Sequence, residues 1–151
     1  MMETTTCIGF DEKRARLEED LAALPDAYER FGYLVDLGRS HPGLSEEEQT
    51  AERKVEGCVS NVHLLETLED GRLQFRVEAD SAIVKGIAAL LCDLYSGETP
   101  ECVIEREPDF LEAFGITQHL SPNRRNGLTQ VYKRMKAFAV QALAARDAAQ
   151  S

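Results

Sequence analysis

The chain is short of cationic side chains. Its 151 residues carry 17 Lys+Arg against 27 Asp+Glu, a formal net charge of −10. A polyanion would be repelled unless the cations were gathered on one face. The nearest approach, Arg124 and Arg125 with Lys133, Arg134 and Lys136, is sparse, so no nucleic-acid partner is expected. Long apolar runs are also missing. The longest, from Ala82 to Tyr95, is broken by Lys85 and Asp93, so no bilayer span is expected, and no membrane partner. Residues 1–16 are polar and charged, without the apolar centre of a secretory leader. The cytoplasm is the expected location. Cysteine is scarce, and none of Cys7, Cys58, Cys92 and Cys102 stands in a C-x-x-C pair. Zinc-ribbon and thioredoxin chemistry therefore have no support. In a reducing compartment disulfides among these four are not expected.

The remaining composition is that of an ordinary globular chain, and its length suits one domain with a real core. Residues 11–24 read as a charged helix with a narrow stripe of Leu17, Leu21 and Leu24. Residues 26–39 read as a core-facing helix through Tyr28, Phe31, Leu34, Val35 and Gly38. Ser45 and Glu48 have the spacing of a capping box. Residues 59–68 and 73–79 alternate as strands around Asp70-Gly71, a hairpin signal. A third short strand is expected near residues 54–56. Asp80-Ser81 caps the most apolar helix, with Asp80 read as the N-cap. Thr99-Pro100 and Ser121-Pro122 open further helices, and the last trails into an Ala-rich end. The class is α+β: a small three-stranded antiparallel sheet packed by helices. Residues 1–25 read as a partly helical N-terminal extension and residues 26–151 as the main domain.

One cysteine stands apart. Cys58 follows Gly57, past a charged, loop-like stretch and at the head of a β-prone run. Glycine permits a left-handed backbone and close approach by another molecule. A thiolate is a strong nucleophile whose reactivity follows local charge and exposure. Arg53, Lys54 and His63 could favour the thiolate, and Glu56 opposes them. Cys92, after Leu90-Leu91, reads as a small core side chain. Cys7 falls in a tail expected to be mobile, and the neighbourhood of Cys102 leaves its role open. His119 is expected to pack or to make a backbone hydrogen bond at a helix start.

Four motifs in order carry a resemblance. They are Gly57-Cys58-x-Ser60-x-Val62 before a hairpin, Asp80-Ser81-Ala82-Ile83-Val84-Lys85-Gly86, Leu94-Tyr95-Ser96-Gly97-x-Thr99-Pro100, and the run from Gln118 to Leu128 containing Ser121-Pro122-Asn123-Arg124-Arg125-Asn126-Gly127. Together they resemble the SufE family, which includes CsdE-type proteins. The resemblance implies a fold like that of the scaffold IscU. It also implies a sulfur-transfer accessory of iron–sulfur cluster assembly rather than a stand-alone enzyme. Such a protein binds a cysteine desulfurase of SufS or CsdA type, takes persulfide sulfur onto its own cysteine, stimulates the desulfurase, and passes sulfur to a scaffold such as SufBCD. It needs no cofactor or metal of its own, since the pyridoxal phosphate belongs to the desulfurase. The acceptor maps onto Cys58, with Gly57, Ser60, Asp80 and Arg124 as partner-binding or loop-supporting residues. The family's usual Gln and Trp positions hold Val59 and His63 here. Two alternatives stand beside the carrier reading: an IscU-like cluster scaffold, and an adaptor that regulates a desulfurase without carrying sulfur. His119-Leu120 stands where a scaffold of that kind is expected to have a His-Cys pair, and Cys92 and Cys102 lack ligand spacing with Cys58.

Overall fold

A computed structural model describes residues 6–57 and 61–150. The elements run α1 (Ile8–Ala22), α2 (Ala27–Ser40), a 3₁₀ turn (Ala51–Arg53), β1 (Val62–Glu69), β2 (Arg72–Ala79), α3 (Ala82–Tyr95), α4 (Pro100–Glu105), α5 (Phe110–Ala113), a second 3₁₀ turn (Thr117–His119) and α6 (Pro122–Gln150). This is the α+β class that the alternating patterns predict. Local chemistry sets most boundaries. Asp26 caps α2 by accepting from the Glu29 N–H at 2.9 Å, and Thr99 caps α4 ahead of Pro100. Ser45 and Glu48 exchange side chain-to-backbone bonds reciprocally, but they close a turn and not a helix. Asp70 (φ 52°) and Gly71 (φ 78°) form the two-residue turn that suits a twisted hairpin.

The sheet has two strands among the described residues, not three. The expected third strand shrinks to one bridge, Lys54 to His63. Arg134 of α6 holds the Glu52 and Lys54 carbonyls at 2.8 and 3.0 Å, acceptors that a longer ladder could have used. The outer edge of β2 is closed without a strand. Leu73 N–H donates to Glu98 O, Phe75 N–H to Ser96 Oγ and Val77 N–H to His41 Nε2, at 2.9, 3.0 and 3.0 Å. An edge so covered offers no template for pairing with another chain.

α3 is the centre of the core, as its apolar run predicts. Val84, Gly86 to Cys92, Leu94 and Tyr95 are all buried. The hairpin lays Val62, Leu64, Leu73, Phe75 and Val77 on one side of it, and α2 crosses the other. The crossing is backbone on backbone: a Cβ on Gly86 would stand 2.2 Å from the Leu34 carbonyl oxygen. α6 closes the third side with Leu128, Val131, Met135 and Ala139.

Two helix readings change. Tyr28 is 87 % exposed. The buried positions of α2 are Leu34 and Gly38, and Tyr28 lies six residues before Leu34, about 120° off that stripe. Arg30, four residues before Leu34, turns inward instead and holds the Leu21, Leu24 and Phe114 carbonyls. Asp80 is not the N-cap of α3. Ser81 is, its Oγ accepting from the Val84 N–H.

The N-terminal segment also departs from expectation. Cys7 is no mobile tail residue: it is 2 % exposed and sits at the N-cap of α1. It is joined by a disulfide to Cys102, with a Cα–Cα distance of 5.7 Å. The expectation of four reduced cysteines fails here because 95 residues of chain fold back to bring the pair together, a closure that spacing along the chain does not reveal. α1 is further held by Phe10 against Tyr95, with ring centroids 5.1 Å apart. Ion pairs Arg106–Asp11, Lys13–Glu98 and Arg14–Asp109 complete the attachment. Glu98 is 6 % exposed, and Lys13 Nζ at 2.8 Å compensates its buried charge.

His41 gives the fold a pH dependence. Its Nε2 must be unprotonated to accept from Val77 N–H. Burial, then Lys85, lowers its pKa, with Glu78 opposing and Arg76 adding. In the unfolded chain the imidazole titrates at about 6.5. The folded pKa lies below that, so this contribution is complete above about pH 6.5 and is lost as pH falls towards the folded value. Urea unfolding at pH 7.5 and 5.5 is expected to show a larger drop for the wild-type chain than for His41→Gln, which keeps an acceptor and does not titrate. Equal drops would refute the assignment.

Candidate functional site

Val55 and Val62 are both buried, at 2 % and 0 % exposure, and the Val55 N–H donates to the Val62 carbonyl at 2.8 Å. Apolar burial and one backbone bond therefore pinch the chain together at the base of residues 56–61. Cys58, Val59 and Ser60 lie outside the described residues; their chain neighbours on both sides are held.

On the first limb Gly57 has φ +82°, a conformation in which any other residue would be strained. A Cβ there would meet nothing closer than Gln130 Cγ at 3.4 Å. Backbone conformation, not lack of space, calls for glycine. The Gly57 carbonyl accepts from Asn126 Nδ2 at 2.8 Å. On the second limb the Asn61 carbonyl accepts from the Asp80 N–H at 3.2 Å. Asp80 thus supports the site through its backbone, while its side chain is exposed.

Arg124 is exposed in the first turn of α6, where its N–H donates to Ser121 Oγ at 3.3 Å. Among the described residues its guanidinium makes no ion pair. Of the other nearby cations, Arg53 is committed to the Glu48 carbonyl at 2.9 Å. His63 is half-buried in the bridge to Lys54 and stands opposite Glu78 in the hairpin. His119 packs edge-on against Phe31, with centroids 5.9 Å apart.

Sequence reasoning missed the residues that carry most of the support. Asn126, Gln130 and Arg134 recur every four residues on α6 and so share one face. Asn126 holds Gly57 and Gln130 packs beside it. Arg134 joins Glu66 (3.2 Å) to the Glu52 and Lys54 carbonyls. The signal was present as a polar stripe opposite Leu128, Val131 and Met135; which loop it faced was not. A shallow depression of about 280 Å³ lies along this face, lined by Val55, Glu56, Gln130, Lys133, Arg134 and Ala137.

The other cysteines offer no accessible thiol. Cys7 and Cys102 are bonded to each other. Cys92 is 1 % exposed, and burial pushes its thiol well above the usual range, which suppresses the nucleophilic thiolate. Among the described residues no group of three or more His, Cys, Asp or Glu side chains is placed to hold a metal ion. None of the described helices is long and apolar enough to cross a membrane.

The sequence profile of the family described as "SufE: Fe-S metabolism associated domain" matches residues 15–139. An uncharacterised SufE-like protein of Synechocystis is 36 % identical over 126 residues, spanning 83 % of this chain and 79 % of its own. One from Rhizobium meliloti is 33 % identical over 126 residues, 80 % of this chain and 90 % of that one. The solution structure of a hypothetical protein from Thermus thermophilus is similar with a TM-score of 0.72 and 25 % identity, covering 87 % of this chain and 96 % of that one.

Proposed function

The chain belongs to the SufE family, and from that membership we propose that it is a cytoplasmic sulfur carrier that accepts persulfide sulfur on Cys58. The observation carrying this reading is the fate of its cysteines. Two are tied together and one is sealed in the core. Cys7 and Cys102, at 2 % and 3 % exposure, are also covered against a protein partner, so Cys58 is the thiol assigned to exchange, in a segment whose limbs are fixed by Asn126 and Asp80.

The reaction is thiol exchange with sulfane sulfur as cargo. The Cys58 thiolate attacks the outer sulfur of a desulfurase cysteine persulfide. The bond between the two desulfurase-side sulfurs breaks, its electron pair leaves with the desulfurase thiolate, and Cys58 becomes Cys58–S–SH. No net oxidation occurs. The partner is a pyridoxal-phosphate cysteine desulfurase of SufS or CsdA type, whose turnover rises when its persulfide is cleared. The onward acceptor is a cluster scaffold of the SufBCD kind. Gly57 sets the approach to Cys58, Arg124 offers the partner a cation that makes no ion pair among the described residues, and Ser60 belongs to the same segment.

Incubation with such a desulfurase and cysteine is expected to add the mass of one sulfur, reversible by thiol reductant, on the peptide containing Cys58. Stimulated turnover with no added mass would overturn carriage in favour of an adaptor. A cysteine-dependent visible chromophore after anaerobic reconstitution with iron and sulfide would favour a cluster scaffold.

A further inference from the structure

The Cys7–Cys102 bond lies far from the Cys58 segment. Asn126, which holds Gly57, and Arg146, which pairs with Glu101 beside Cys102 at 3.0 Å, are twenty residues apart on α6. That is about 30 Å along the helix. The two sulfur sites therefore sit towards opposite ends of α6. Cys7 also lies before the stretch that matches the family profile.

We propose that Cys7–Cys102 is a redox-active couple, opened by a small anionic thiol that enters the depression beside Arg72. Three observations converge on it. A depression of about 290 Å³ is lined by both cysteines together with Arg72, Gly97, Glu98 and Thr99. The bond is thus next to a space that admits a small thiol, although the cysteines themselves are nearly covered. The wall is cationic: Glu98 is already paired with Lys13, whereas among the described residues Arg72 donates to the Gly97 carbonyl, at 2.8 Å, and makes no ion pair. Glu69 faces Arg72 across the hairpin without closing an ion pair among the described residues. Finally, Cys7 is the N-cap of α1 and supplies no side-chain cap bond. The disulfide ties down a helix start that has no side-chain cap. In a reducing compartment, disulfides of this sort are those that cycle.

The exchange balances in two steps. A thiolate RS⁻ attacks one sulfur of the pair, the S–S bond breaks, and the departing cysteine thiolate takes a proton from water. A second RS⁻ attacks the reagent's sulfur in the mixed disulfide, releasing RSSR and the other cysteine. Two reagent thiols are oxidised and one protein disulfide is reduced. Cys7, at the N-cap of α1, then loses its tether, while Phe10 on Tyr95 and the ion pairs Arg106–Asp11, Lys13–Glu98 and Arg14–Asp109 keep the helix docked.

The test uses the full chain with Cys58→Ser, so that only this couple exchanges and the outcome is independent of sulfur carriage. Opening is followed by maleimide mass labelling in native buffer, with glutathione as the anionic thiol and cysteamine, whose attacking thiolate form carries no net charge, as the neutral one. Millimolar glutathione is expected to open the bond with helical circular dichroism retained. Arg72→Gln is expected to slow glutathione about three- to tenfold, to change cysteamine less than twofold, and to be rescued by Arg72→Lys. Labelling that appears only in denaturant would make the bond a fixed staple and overturn the proposal. Equal effects of Arg72→Gln on both thiols would overturn the entry path.

Discussion

Gly86→Ala is expected to destabilise the protein by about 3 kcal/mol or more, at the upper end of what overpacking costs. The added methyl would stand 2.2 Å from the Leu34 carbonyl oxygen and 2.7 Å from its carbon. These are backbone atoms of α2, and no rotamer change can move them aside. On the facing helix, a Cβ on Gly38 would meet Gly86 Cα and N at 2.9 Å. The two helices thus touch through paired glycines, and relief requires α2 to move away from α3 as a body. That movement would open the packing around Leu34 and Ile87, both fully buried, and forfeit dispersion contacts along the crossing. Gly32→Ala is the control. A Cβ at that exposed position of α2 meets nothing within 4 Å, so the substitution is expected to stabilise by roughly 0.5–1 kcal/mol through helix propensity. Urea unfolding of the two variants should shift in opposite directions. A Gly86→Ala chain as stable as the wild type would mean that the crossing is looser than described.

The same pair shows where reading a sequence stops. Gly86 is visible in the motif from Asp80 onwards, yet nothing local says which backbone it must admit. Features decided within a few residues were legible: the Asp70-Gly71 turn, the reciprocal Ser45–Glu48 bonds, Thr99 ahead of Pro100, and the continuous apolar face of α3. Features decided across the fold were not. The Cys7–Cys102 closure, the inward turn of Arg30 that leaves Tyr28 in water, and the covering of the β2 edge by His41, Ser96 and Glu98 all join distant segments. The site divides in the same way. The left-handed backbone at Gly57 follows from glycine beside a turn, whereas its hold by Asn126, and the clamp of Arg134 on the strand that was expected and did not form, need α6 in place. Asp80 was the right neighbourhood with the wrong chemistry, because capping fell to Ser81 one residue later.

Cys58→Ser is expected to reduce sulfur loading from one atom per chain to none while leaving stability unchanged within about 0.5 kcal/mol. The functional half follows from the chemistry of the acceptor. A serine hydroxyl is not ionised near neutral pH and cannot form the sulfur–sulfur bond that the proposed carriage requires, so loading is expected to vanish. The thermodynamic half follows from the supports. The limbs are held by the Gly57 carbonyl on Asn126, the Asn61 carbonyl on Asp80 and the Val55–Val62 bond, none of which uses the Cys58 side chain. Cys92→Ala should behave in the opposite way. Cys92 is enclosed in the middle of α3, and losing its sulfur leaves a small void that costs on the order of 1 kcal/mol, yet loading should stay at one sulfur. Intact-mass measurement after desulfurase treatment and urea unfolding, run on both variants, separate the two roles. Loading that persists in Cys58→Ser, or disappears in Cys92→Ala while the fold survives, would move the sulfur site elsewhere in the chain.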